Sequence, residues 1–170
     1  IGVDELMPHE ELMKNLLDWY YNQYEKFLDT LDFIAGRYVL IIGDENKVEV
    51  YPDAANTRST YYSTNKNLVA SHVNLIRDQY EFDRVGFRNE LPLLVNTLTH
   101  TPFEHIESLI PNYCLNFYKK EQTRFFPRRN NQYTALTEEE KFNLFEHFWK
   151  KQLDYYFSKY DNFVFSLSGG

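Results

Sequence analysis

The residues whose chemistry is easiest to name lie at the end of the sequence. Phe163-Val164-Phe165-Ser166-Leu167-Ser168-Gly169-Gly170 joins a β-branched and aromatic run to two hydroxyl side chains and two glycines. The run reads as a buried strand. A strand that leads into Ser-Gly-Gly presents backbone N–H groups to an anion at close range, because glycine carries no Cβ, and a helix N-terminus after it would add positive potential. The chemistry suited to this is phosphate binding, with Ser166, Ser168, Gly169 and Gly170 as the contacting residues. The sequence stops before that helix and opens on Ile1-Gly2-Val3-Asp4-Glu5 without an initiator Met. The expectation is a piece of a longer polypeptide, cut inside its own anion-binding motif.

Other reactive side chains form no comparable pattern. His9, His72, His100, His105 and His147 lack metal-ligand spacing and read as unrelated surface histidines. Glu138-Glu139-Glu140 suits the positive end of a helix dipole and needs no catalytic role. Arg124, Arg128 and Arg129 with Phe125 and Phe126 make a basic, aromatic cluster. Such a cluster can touch a nucleotide or nucleic acid, but on an acidic chain it reads first as a domain-junction surface. No Ser/His/Asp nucleophile arrangement is legible.

The composition narrows the class. A net charge of −7 over 170 residues argues against general nucleic-acid or anionic-membrane binding, and leaves open a local phosphate site built from backbone amides. Fourteen Tyr and fourteen Phe allow a few elements to close a core. Cys114 is the single cysteine, which precludes an intramolecular disulfide and fits a reducing, cytoplasmic compartment. No apolar run approaches the roughly 20 residues of a membrane span. Acids near the start take the place of the Lys or Arg of a signal peptide.

The elements that must position the terminal motif follow from periodicity. Residues 8–31 carry apolar positions at helical spacing, with Pro8 in the first turn, and predict one long amphipathic helix. In that helix Trp19, Tyr20 and Tyr21 cannot share a face, so at least one lies near the surface or in a partner interface. Residues 37–42, 48–51, 59–63 and 68–71 predict strands of an antiparallel meander, with a Gly-Asp-Glu-Asn-Lys turn at 43–47. Short helices are expected at 72–78 and 91–98, a loop at 99–107, and strands at 113–118 and 123–126. Residues 127–135 read as a basic, Asn-rich linker. Thr137-Glu138-Glu139-Glu140 is a capping box that opens a helix with apolar positions at Phe142, Phe145, Trp149, Leu153, Tyr156 and Tyr160. That helix delivers the terminal strand, an α/β arrangement unlike the meander before it.

Several of these segments, taken in order, resemble the asparagine synthase family of glutamine-dependent amidotransferases. Ile34-Ala35-Gly36-Arg37-Tyr38-Val39 resembles the family's strand after a glycine turn. Asp53-x-x-Asn56-x-Arg58-x-x-Tyr61-Tyr62 is similar to its D-x-x-G-x-R-P-x-Y-Y segment, and Leu68-Val69-Ala70-Ser71 to its F-A-S-E strand. Thr101-Pro102-Phe103-Glu104-His105-Ile106 resembles T-x-F-x-G-I. Ile110-Pro111-Asn112-Tyr113-Cys114-Leu115 resembles P-P-G-x-Y-L, with Arg124-Phe125-Phe126-Pro127 in place of R-Y-W. Ser166-Leu167-Ser168-Gly169-Gly170 matches the start of S-G-G-x-D-S, the pyrophosphatase loop. The departures are specific. Asn56 and Asn112 replace glycines, and asparagine is the non-glycine residue best able to keep a left-handed turn. Ser59 replaces a proline, and His72 a glutamate.

The resemblance implies a fold of class α+β / α/β. Residues 1–127 would be the C-terminal part of an Ntn-glutaminase-like antiparallel sheet-and-helix domain, and 128–136 a linker. Residues 137–170 would be the first helix and strand of an adenine-nucleotide alpha-hydrolase-like ATP-binding domain. It implies a ligase that adenylates a carboxylate with ATP and Mg²⁺, after which an amine attacks the acyl adenylate. Ser166, Ser168, Gly169 and Gly170 would contact phosphate, while the metal-holding Asp of the full loop falls two residues past Gly170. The chain alone is therefore expected neither to hydrolyse ATP nor to ligate. The family's N-terminal cysteine, R-G-P-D and N-G-E segments are absent, and Cys114, mid-chain and without an N-terminal amine as base, reads as structural. The implied partners are ATP and a carboxylate substrate, with no nucleic acid and no membrane. The alternative is a non-catalytic glutaminase-like scaffold or interaction domain offering a homodimer surface. An unassigned α+β domain is the remaining reading.

Overall fold

The computed structural model describes residues 8–85, 98–128, 131, 133–162 and 164. The elements are α1 (His9–Asn22), α2 (Tyr24–Leu31), β1 (Val39–Gly43), β2 (Val48–Pro52), β3 (Tyr61–Ser63), β4 (Val69–Ala70), α3 (Val73–Tyr80), β5 (Ile106–Ser108), β6 (Tyr113–Asn116), β7 (Glu121–Arg124) and α4 (Glu138–Lys159). The protein is thus mixed α and β, with antiparallel sheets.

The long helix expected over 8–31 is two helices. Gln23 leaves the helical region, at φ −146° and ψ 63°. The aromatic residues around the break account for it. Tyr20, Tyr24 and Phe27 pack mutually, with ring centroids 5.3 to 6.0 Å apart. The break lets both tyrosine hydroxyls reach the sheet, Tyr20 at Glu49 (3.0 Å) and Tyr24 at Tyr51 (2.9 Å). Of the three adjacent aromatics, Tyr20 is buried and Tyr21 is half exposed, as their adjacency requires.

The β1–β2 hairpin forms as expected. Asp44 accepts the N–H groups of Asn46 and Lys47 on one carboxylate oxygen, an Asx turn. Gly43 is required there: its φ is 144°, and a Cβ would lie 1.9 Å from the Lys47 carbonyl oxygen.

The single meander is not what the chain builds. β2 and β3 do not pair. One sheet has the order β1-β2-β6-β7 and the other β4-β3-β5. The loop between β2 and β3 carries the chain from the first sheet to the second. The expected loop at 99–107 also needs correction, because β5 begins inside it and pairs with β3, Ser63 opposite Ile106. Ile-Glu-Ser is too short and too polar to announce a strand. β7 starts two residues before the expected 123, because Lys120 at φ 60° closes the hairpin early.

The elements stack in layers. Leu12, Leu16, Tyr20, Phe27, Leu28 and Leu31 of the first two helices cluster with Leu40, Ile42, Tyr51, Cys114 and Phe125 on one face of the first sheet. The other face meets the second sheet through Val50, Leu115, Tyr62 and Leu109. α3 packs on the second sheet and buries Ile76 completely. Strand alternation separates these faces: Val50 points between the sheets, and its neighbours Glu49 and Tyr51 point to the helices.

α4 forms where the sequence predicts a helix. Its capping box is present, with the Thr137 Oγ1 accepting the Glu140 N–H (3.3 Å) and the Glu140 carboxylate accepting the Thr137 N–H (2.7 Å). Of its apolar positions, Phe142, Phe145, Trp149, Tyr156 and Tyr160 are all about half exposed or more. The outer faces of both sheets are already covered by α1, α2 and α3. α4 touches the rest through Phe148, whose ring meets Phe33 edge-on at 5.3 Å. The expected helix at 91–98 lies, but for Leu98, outside the described residues, as does the terminal strand but for exposed Val164.

Candidate functional site

The loop that crosses between the sheets, residues 53–60, is closed by four hydrogen bonds to the Asp53 carboxylate. Asp53 is 3% exposed. One carboxylate oxygen accepts the N–H groups of Ala55 (3.2 Å) and Thr57 (3.0 Å), and the other accepts the Thr57 hydroxyl (2.8 Å) and the Arg58 N–H (3.4 Å). Burial raises the Asp53 pKa, but the bonds from Thr57, Ala55 and Arg58 outweigh it and hold the carboxyl below the usual aspartate range. The sequence marks the first residue of a motif here, and the structure makes that residue the clamp of its own loop.

The two asparagines at glycine positions of the resemblance both adopt left-handed backbone, Asn56 at φ 49° and Asn112 at φ 67°. Asn56 donates its N–H to the Asp53 carbonyl and its side-chain NH₂ to the Leu109 carbonyl (2.7 Å), tying the crossing loop to the approach to β6. Asn112 offers its carbonyl to the Phe125 N–H (3.0 Å) at the mouth of the β6–β7 hairpin. The side-chain oxygens of both are buried and unpartnered among the described residues. The asparagines therefore serve the backbone, and an alternative side chain is constrained by φ. Asn112→Gly should leave stability level or raise it by up to about 1 kcal/mol, since it keeps φ and removes an orphaned oxygen. Asn112→Ala should lower it by about 1–2 kcal/mol, the penalty of a Cβ in the left-handed region. Urea midpoints of the two variants measure the contrast.

Tyr61 and Tyr62 fall on opposite faces of β3, as a Tyr-Tyr pair in a strand must. Tyr62 points between the sheets, donates to Glu107 (2.7 Å) and accepts from the Gln122 side chain (3.1 Å). Gln122 also reaches the carbonyl of Ser108 and the N–H of Ile110, so β7 is joined to β5 by side chains rather than by a ladder.

Asp53→Ala leaves buried N–H groups without an acceptor and should cost about 3 kcal/mol. The pH dependence carries a sign. A carboxyl held below its unfolded value of 3.8 contributes stability above that pH, and the contribution disappears as pH falls through the lower folded value. The acid limb of thermal stability below about pH 4 should therefore be shallower in Asp53→Asn than in the wild type.

The remaining sequence candidates resolve as follows. Cys114 is buried in the first sheet, where burial and then the charge of Glu49 push its thiol up to about 11, so it sits in a packing position. Arg128 of the basic cluster pairs with Asp29 and with Asp32, whose side chain is 2% exposed, and so pins the segment after β7 to the end of α2. Arg124 donates to the Phe126 carbonyl. Glu138 pairs with Lys141, and Glu140 is the capping residue. Among the described residues no group of His, Cys, Asp and Glu is arranged to hold a metal ion. Ser166, Ser168, Gly169 and Gly170 lie outside the described residues.

Sequence reasoning missed the polar network under α1 and α2. Glu49 is buried, accepts from Tyr20 (3.0 Å) and Tyr51 (2.8 Å), and pairs with Lys47 (3.1 Å). The signal was present in Val48-Glu49-Val50-Tyr51, whose two faces differ in character, but the alternation does not say that both faces are covered. No protein-family model, curated protein or solved structure matches the chain. No described helix is long and apolar enough to cross a membrane.

Proposed function

We propose that these residues are the later part of a glutaminase-like layered domain, leading into the ATP site of an asparagine-synthase-like amide-forming ligase. The observation that carries this reading is the backbone at Asn56 and Asn112. Both positions where the resembled motifs have glycine adopt a left-handed conformation, and both serve the turns that those motifs would need. The layering agrees with it: two antiparallel sheets face each other, with helices outside each. So does the capping box that starts α4 immediately before the terminal motif.

Under this reading the described part is a scaffold. Cys114 is packed away, and Asp53 clamps its own loop. ATP would supply the adenylyl group that activates a carboxylate. The chain's contribution would be Ser166, Ser168, Gly169 and Gly170, whose hydroxyls and unobstructed N–H groups suit a polyphosphate. The test is carboxylate-dependent exchange of labelled pyrophosphate into ATP, measured on a polypeptide that continues this reading frame beyond Gly170. Exchange supports the reading, and its absence across amino acids and sugar acids counts against it.

A further inference from the structure

A cleft lies where β1 of the first sheet and β4 of the second approach the crossing loop. Its volume is about 780 Å³, and among the described residues its lining contains no acid. Arg37 and Arg58 line it together with Ser59 and His72, beside an apolar floor that includes Val39 and Val69. On a chain of net charge −7, a cleft whose described lining has two arginines and no carboxylate is a local reversal of sign.

Both arginines are held in place by backbone carbonyls. Arg37 donates an Nη2–H to the Thr57 carbonyl (3.2 Å), and Arg58 donates its Nε–H to the Arg37 carbonyl (3.2 Å). These bonds fix where the side chains run without neutralising them, and among the described residues neither guanidinium meets a carboxylate in an ion pair. The acids nearest in sequence are committed elsewhere, Asp53 to the amides of its loop and Asp32 to Arg128. Each guanidinium therefore keeps donors for a ligand, and a planar fork of that kind suits carboxylate or phosphate.

We propose that this cleft binds the oxyanion end of a small acid, with Arg37 and Arg58 on the charged group and the apolar floor under the body of the ligand. A pocket with an apolar lining and a few converging polar groups is the usual form of a small-molecule site. This inference concerns residues apart from the terminal motif and stands whether or not that motif binds ATP.

The experiment is a titration of the ¹⁵N-labelled chain, at low ionic strength, with sodium phosphate, sodium phenylacetate and, as a cationic control, phenethylamine. Saturable shifts of the Arg37, Thr57, Arg58, Ser59 and Val69–His72 amides are expected for at least one anion, with a dissociation constant of about 1 mM or tighter, and none for the amine. Tighter binding of phenylacetate assigns the site to amphipathic carboxylic acids, and tighter binding of phosphate to phosphorylated ligands. R37A/R58A should weaken binding about tenfold or more, which is about 1.4 kcal/mol. Ser59→Asp places a carboxylate in the cleft from an exposed loop position, and should abolish binding while the amide dispersion of the folded chain is retained. Should the arginine double variant unfold, Ser59→Asp decides alone. Absence of saturable shifts with either anion overturns the proposal, as does anion binding undiminished in Ser59→Asp.

Discussion

Tyr51→Ala is expected to lower stability by about 4 kcal/mol, as large aromatic truncations in a core do. Native domains have only about 5–15 kcal/mol in total, so this variant should be largely unfolded in mild urea. Tyr51 is fully buried, and its ring meets Phe27 and Phe125 edge-on at 5.2 and 5.3 Å. It thereby joins α2 to the first sheet and to the segment after β7. Its hydroxyl donates to Glu49 and meets Tyr24. Tyr51→Phe separates these roles. It keeps the ring and removes one donor from a buried carboxylate, and should cost about 1–3 kcal/mol. Urea unfolding followed by far-ultraviolet dichroism gives both numbers. A Tyr51→Ala variant as stable as the wild type would mean that α1 and α2 are not held to the sheet through this residue.

The second large effect is at high pH. Burial, then the charge of Glu49 and its hydrogen bond, raise the Tyr20 phenol. Burial, then neighbouring Cys114 and Tyr24, raise Tyr51, and burial with the Glu107 hydrogen bond raises Tyr62. Burial and then Asp53 push Tyr38 up to about 12. Each group is more protonated when folded than when unfolded. Its stabilisation is complete below the unfolded value of 10.0 for tyrosine and fades as pH rises toward the folded value. For Tyr51 and Tyr62, which are at most 2% exposed, each pH unit above that point should remove about 1.4 kcal/mol per group. Unfolding should therefore be cooperative above about pH 10, with the phenolate absorbance of the buried tyrosines appearing together with loss of helix. Tyrosines that titrate smoothly near pH 10 in a folded chain would contradict the packing of all four.

The parts of this fold that were legible in the sequence are those set by local chemistry. Asp44 and Gly43 specify the hairpin turn by side-chain capping and by φ, and Thr137 with Glu140 specifies the start of α4. The left-handed turns at Asn56 and Asn112 follow from the same local logic. What local chemistry does not encode is which strand pairs with which. β2 and β3 are neighbours in sequence, yet Asp53 gathers the amides between them into a loop that sends β3 to the other sheet. β5 takes its ladder from β3, far from it in sequence. The same blindness affects burial. Val48-Glu49-Val50-Tyr51 looks like a half-exposed strand, but helices cover its polar face, and Glu49 becomes the acceptor for two tyrosines. The aromatic positions of α4 look like a core stripe and are largely exposed, because no sheet face is left for them. Of the candidate site, the crossing loop was legible through Asp53, Asn56 and Arg58. The approach of Arg37 to Arg58 depends on contact across the chain and was not.

The proposal to be tested is that Ser166, Ser168, Gly169 and Gly170 would open a nucleotide-phosphate loop. It is tested most directly by calorimetric titration of Mg²⁺-ATP into a polypeptide continuing past Gly170, beside its Gly169→Val variant. The account predicts saturable binding at one site with a dissociation constant below about 1 mM, lost in Gly169→Val because a branched side chain blocks the approach of phosphate to the backbone. No binding, or binding that Gly169→Val leaves unchanged, would contradict it.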